Sequence, residues 1–196
     1  MIICCIGDSL TEGDYGIPGV RCVANVHPEN YPYFLSQLTG CEVRNYGKCG
    51  WRSSDMLTWY RQGGLRVADA DIIILMLGTN GGQLAVGDSP DNQAYLELVA
   101  GLCRDAPQAR LYLCTPPHVT VDPAMSNVGY APQVAEAVGF VRRVAPQLGL
   151  PVIDLAACSL FTDASEHEMQ PNDGLHFGEK GYRTLARVIG EAVGLI

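Results

Sequence analysis

Five short apolar runs separated by segments of helical periodicity constrain this 196-residue chain more than any other feature. The runs cover residues 1–6, 42–46, 71–77, 110–114 and 151–155, each of strand length and mostly apolar on both faces. Helical patterns fill the spaces between and after them, at residues 31–38, 53–62, 92–103, 132–148 and 179–193, with polar starts and glycine near several ends. Strands that alternate with helices imply right-handed crossovers onto a parallel sheet covered on both faces, a doubly wound α/β layout whose functional loops gather at the carboxyl ends of the strands. The longest irregular stretches, residues 11–30, 115–130 and 156–175, each follow a strand, and loops of that length in a small domain are expected to wall a site.

Composition narrows the function. At 47% hydrophobic the chain can bury one sizeable core, which predicts a single domain over residues 1–196. The formal net charge is -8 and the 13 Lys and Arg are scattered, so there is no basic footprint for nucleic acid. No apolar run approaches the roughly 18 residues of a membrane helix, and the first residues lack a basic segment followed by an apolar one. The chain therefore reads as a cytoplasmic protein with no membrane partner, although a secreted form stripped of its signal would look the same. Eight cysteines occur, none at C-x-x-C spacing; Cys4, Cys5, Cys103 and Cys114 lie in apolar stretches, and all are expected to be reduced thiols that simply pack.

Four segments carry chemistry. Gly7-Asp8-Ser9-Leu10 follows the first strand and sets a serine on a glycine-flanked turn, where it can be exposed and approachable; alone, the segment is equally an ordinary turn, a helix cap or an anion cradle of the flavodoxin kind. Asp173-Gly174-Leu175-His176 precedes the last helix, and a short turn can fold the carboxylate back onto the imidazole, fixing its tautomer as a base for a serine. Asn45 to Gly50 follows the second strand and Gly78-Thr79-Asn80 the third. In a flavodoxin-like five-stranded sheet of order 2-1-3-4-5 both flank the first strand, so the Gly50 N–H and the Asn80 amide can converge on an oxygen held against Ser9.

Taken together, these blocks resemble those of the SGNH/GDSL hydrolase family, from the first strand to the last helix. The stretch Phe177-Gly178-Glu179-Lys180-Gly181-Tyr182 is also similar to that family's lead into its final helix. The resemblance implies a three-layer α/β/α fold and ester hydrolysis through a serine acyl-enzyme. Ser9, Asp173 and His176 would be catalytic, and the Ser9 N–H, Gly50 and Asn80 would form the oxyanion hole. One departure stands out: Gly81 occupies a position where the family usually has Asp.

The expected substrate is a small-molecule or carbohydrate ester, above all an O-acetyl group on a sugar, with Asp8, Trp51 and His118 assigned to substrate binding. Tyr15, Tyr31, Tyr33, Trp59 and Tyr60 also lie in or near the loops, where some can stack on a sugar and others only pack. A thioesterase or lysophospholipase is the alternative, and a non-catalytic flavodoxin-like or carbohydrate-binding module the second. No cofactor or metal is expected. His118 has no carboxylate beside it in sequence, and His167, among Asp163, Glu166 and Glu168, reads as part of a solvated acidic loop.

Overall fold

The computed structural model describes residues 1–80 and 90–196, so the departure at Gly81 lies outside the described residues. In chain order the elements are β1 Ile2–Gly7, α1 Ser9–Glu12, α2 Tyr31–Thr39, β2 Glu42–Gly47, α3 Ser53–Arg61, β3 Ile72–Met76, α4 Pro90–Asp105, β4 Arg110–Cys114, α5 Ala131–Gln147, β5 Val152–Ile153, α6 Glu166–Met169 and α7 Glu179–Ala192. The strands form one parallel sheet of order β2-β1-β3-β4-β5.

Alternation along β1 and β3 divides the core. Cys4, Ile6, Ile73 and Leu75 face one layer with Met56 of α3, Leu98 of α4 and Phe140 of α5. Ile3, Cys5, Ile72, Ile74 and Met76 face the other with Phe34 and Leu35 of α2 and Leu185 and Ile189 of α7. Successive strand side chains point to opposite faces, so apolar residues on both faces require helices on both. The result is the three-layer α/β/α sandwich. Among the described residues no helix is long and apolar enough to cross a membrane.

Helix ends follow local chemistry. Asn30 caps α2 by accepting from the Tyr33 N–H, Pro32 sits in its first turn, and Gly40 closes it at φ +66°. The fifth strand is shorter than the apolar run suggests. Asp154, next along, turns its carboxylate to Arg142 of α5 and to the Thr115 hydroxyl, which ends the ladder at Ile153.

Two cysteine expectations are corrected. Cys22 and Cys49 are joined in a disulfide, and Cys103 is exposed rather than packed. Cys22 lies in the loop after α1 and Cys49 in the turn after β2, so long-range folding alone brings them together, and neither lies in a local motif that betrays the pairing. Closing a loop across a sequence separation of 27 residues disfavours the unfolded chain by about 3–4 kcal/mol on the chain-entropy account.

Candidate active site

The end of β1 determines where Ser9 sits. Gly7 is the last strand residue, and a Cβ on it would lie 2.1 Å from Thr11 Oγ1 and 2.6 Å from the Met76 carbonyl, so only glycine allows the chain to turn this tightly. Asp8 then caps α1, its Oδ1 accepting from the Leu10 N–H at 3.1 Å. Ser9 therefore opens a one-turn helix instead of standing on an open turn, and it is only 3% exposed. Asp8 is wholly buried. This corrects its assignment to substrate binding: a carboxylate with no surface cannot meet a substrate from solvent. Burial pushes the Asp8 carboxyl up to about 6, against the opposing influence of the Leu10 N–H, Thr79 and the His176 charge. Thr79 acts here through proximity, because neither its hydroxyl nor Asp8 Oδ2 completes a hydrogen bond.

The loop before α7 brings the other two groups. Asp173 Oδ1 accepts from the Leu175 N–H at 2.9 Å and the His176 N–H at 2.8 Å, folding the chain back so that Oδ2 meets His176 Nδ1 at 2.6 Å. Nε2, on the far side of the ring, lies 2.9 Å from Ser9 Oγ. Ser9, His176 and Asp173 thus form one hydrogen-bonded line at the carboxyl edge of the sheet. The three long loops converge here. Asn127 donates to Asp173 Oδ2 at 2.8 Å, Thr120 N–H to the Gly174 carbonyl at 2.8 Å, and Asn172 to the Tyr15 carbonyl at 2.8 Å.

Burial alone would lower the basicity of His176, but the hydrogen bond and charge of Asp173, with the charges of Asp14 and Asp8, outweigh it and hold the imidazole above its ordinary value. Burial likewise opposes ionisation of Asp173, yet the His176 ring, its charge and the two backbone N–H groups win and keep that carboxyl below the usual range.

Asp14 is a neighbour of His176 that the sequence did not reveal. It is buried, and its Oδ2 lies 3.6 Å from His176 Nε2, beyond hydrogen-bond length but close enough for its charge to act. Asp14→Asn should therefore shift the acid limb of the kcat/KM–pH profile to lower pH. The neutral base form of His176 then persists to lower pH, while the plateau stays within about tenfold of wild type, far less than the roughly 10⁴-fold typical of losing the triad carboxylate. A profile that does not move would exclude an electrostatic role for Asp14.

Glu12, also missed, holds the turn after β2: its carboxylate accepts from the Cys49 N–H at 2.5 Å and pairs with Lys48 at 3.2 Å. That turn carries Gly50, left-handed at φ +74°, exposed, and with no acceptor for its N–H among the described residues. Asn80 donates one amide hydrogen to the Trp51 carbonyl at 3.1 Å, which ties the β3 loop to the same turn and leaves a second hydrogen to offer.

Trp51 and His118, the other two residues expected at the substrate, each line a cavity of their own. Trp51 packs edge-on against Trp59, and the two line a separate cavity with Lys48, Asp55, Thr58 and Gln62. His118 meets two carboxylates, with Nε2 3.0 Å from Asp163 and 3.5 Å from Glu166. Glu166 is buried, which corrects the reading of its segment as a solvated loop. Glu168 does face solvent and pairs with Lys180, and His167 is exposed. Among the aromatics, Tyr31 is core and Tyr60 is bound to Asp105 and Arg104.

Beside the triad lies a cleft of about 250 Å³ lined by Asp14, Gly16, Val20, Asn25, Ser126 and His176, among others. A serine, a histidine and an aspartate in this relation, at the carboxyl edge of a doubly wound sheet, are the constellation used by acyl-transfer hydrolases. The chain belongs to the GDSL-like lipase/acylhydrolase family, whose model matches residues 5–184, and it is accordingly a hydrolase of the esterase type.

Solved structures share the fold. An aryl esterase from M. smegmatis superimposes with a TM-score of 0.73 at 20% identity, covering 98% of this chain and 97% of its own. Est24, a carbohydrate acetylesterase from Sinorhizobium meliloti, gives 0.73 at 18% identity with the same coverage. A lipase/acylhydrolase from Enterococcus faecalis gives 0.72 at 22%, covering 98% and 94%. No curated protein sequence matches the chain significantly.

Proposed function

We propose that this protein hydrolyses short-acyl esters, in particular O-acetyl groups on carbohydrates, through an acyl-enzyme on Ser9. The observation that carries the mechanism is the line Ser9 Oγ–His176 Nε2 at 2.9 Å and His176 Nδ1–Asp173 Oδ2 at 2.6 Å. His176 takes the hydroxyl proton as Ser9 Oγ attacks the ester carbonyl. Asp173 stabilises the resulting imidazolium, with Asp14 and Asp8 adding to the negative field around it. The carbonyl oxygen, now charged, is held by the N–H groups of Ser9 and Gly50 and by the Asn80 amide. Collapse expels the alcohol, which takes the proton back from His176, and water repeats the cycle to release the acid.

The substrate class rests on the cleft. At about 250 Å³ it lies at or below the low end of ordinary ligand pockets, a fit for an acetyl group or one sugar unit. It is also polar: Asp14, Asn25, Ser126, Asp173 and His176 line it, a setting that suits the hydroxyls of a sugar. One structural neighbour is described as a carbohydrate acetylesterase, in keeping with this reading. The Cys22–Cys49 bond favours an oxidising compartment over the cytoplasm.

The test is hydrolysis of p-nitrophenyl acetate and octanoate at neutral pH, followed by acetate release from acetylated sugars. Preference for acetate and activity on the sugars support the proposal, whereas preference for octanoate moves the longer-chain acyl hydrolase reading ahead. Asn80→Ala should lower kcat by roughly 10²- to 10³-fold with little change in KM, the usual cost of one oxyanion donor. An unchanged kcat removes Asn80 from the mechanism.

A further inference from the structure

Outside the triad, the structure gathers one imidazole and two carboxylates that the reaction does not use. His118 comes from the loop after β4, Asp163 from the loop before α6, and Glu166 from the first position of α6. Their donor atoms all lie within 4.8 Å of one another, with His118 Nε2 3.0 Å from Asp163 Oδ1 and 3.5 Å from Glu166 Oε2. Four ligands at about 2.1 Å around a tetrahedral ion are separated by about 3.4 Å, so both distances from the imidazole nitrogen are close to that edge.

A second observation points to a ligand independently. The Glu166 side chain is only 5% exposed, yet its Oε2 has no hydrogen-bond partner, and His118 Nε2, although 3.0 Å from Asp163 Oδ1, is not aligned for a hydrogen bond to it. A buried carboxylate oxygen left without a hydrogen bond beside an imidazole nitrogen is costly unless something joins the two. Asp163, 67% exposed, opens the cluster to solvent and supplies a way in. Arg142, the cation lining the adjoining cavity, is occupied by Asp154 at 2.9 Å and does not neutralise the pair.

We infer that His118, Asp163 and Glu166 form a divalent transition-metal site suited to Zn²⁺, with water in the fourth position. Nitrogen with two carboxylate oxygens is a borderline donor set that tetrahedral zinc accepts. The site is structural. Gln170, just after α6, donates through Nε2 to the His118 carbonyl at 2.7 Å and to the Leu175 carbonyl at 2.8 Å. An ion joining His118 to Glu166 therefore braces the segment that ends in His176, without touching the reacting atoms.

The experiment is calorimetric titration of chelator-treated full-length protein with Zn²⁺, with thermal unfolding in parallel. The expected result is one bound equivalent, a higher Tm with metal, and an affinity at least about 100-fold weaker in both His118→Ala and Glu166→Gln. Glu166→Gln is isosteric and decides the matter if His118→Ala fails to fold, as circular dichroism would report. The same titration on His176→Ala removes zinc bound at the triad. No binding by wild type, equal affinity in wild type and Glu166→Gln, or a signal that vanishes only with His176→Ala each overturns the proposal.

Discussion

Ser9→Ala is expected to lower kcat/KM for p-nitrophenyl acetate by on the order of 10⁴-fold or more while leaving Tm and the circular dichroism spectrum close to wild type. The separation of effects follows from what the residue does structurally. Its backbone carbonyl accepts from the Gly13 and Asp14 N–H groups, and its helical turn is capped by Asp8; alanine preserves all of this. What is removed is the hydroxyl, whose hydrogen bond is to His176 Nε2. Steady-state kinetics on purified variant, with a burst-phase search for acyl-enzyme in the wild type, checks the expectation. Activity within tenfold of wild type would place the nucleophile elsewhere.

Asp173→Asn should cost roughly 10⁴-fold in kcat, and unlike the serine change it should also destabilise the fold. Both carboxylate oxygens of Asp173 accept two hydrogen bonds: Oδ1 from the Leu175 and His176 N–H groups, Oδ2 from His176 Nδ1 and Asn127. An asparagine has one oxygen, so whichever way the amide turns, its NH₂ faces two donors. Leaving buried donors unmet costs about 1–3 kcal/mol each, and an amide hydrogen directed at Nδ1 favours the tautomer in which Nε2 already carries the proton and cannot serve as base. Denaturant unfolding alongside kinetics separates the two losses. A variant that is destabilised yet fully active would reduce Asp173 to a loop anchor.

The same pair gives activity and stability opposite pH trends. His176 titrates above its ordinary value when folded, so its contribution to stability is complete below the unfolded value and fades as pH rises through the folded one. Catalysis needs the neutral ring and rises over that same interval. Asp173, held below the usual carboxylate range, contributes stability above the unfolded carboxyl value and loses it only as pH falls through its own depressed one. Maximum stability is thus expected on the acid side of maximum activity.

Much of this was legible in the chain, for reasons that can be stated. Strand-length apolar runs such as Ile72–Met76 reveal a sheet buried on both faces, because side-chain alternation leaves no polar face to hide. The glycines around Ser9 mark close approach: a Cβ on Gly47 would lie 2.1 Å from the Glu12 backbone nitrogen. Asp173 and His176 are three residues apart, and a local turn suffices to join them. Asp8 misled because an aspartate before a serine looks the same in sequence whether it faces a substrate or caps a helix.

The sequence by itself determined the alternation of strands and helices, the order of the segments that meet at the carboxyl edge, and the local Asp173–His176 turn, since all of these depend on periodicity and neighbours along the chain. Only the tertiary structure decided which distant groups meet. It brought Asp14 to His176, joined Cys22 to Cys49, set Glu12 under the turn of Gly50, and gave His118 the two carboxylates it lacks in sequence. Each of these contacts joins loops or one-turn helices distant in the chain, and such short segments carry no periodicity that records a partner; their distances are settled by how the strands order themselves beneath them.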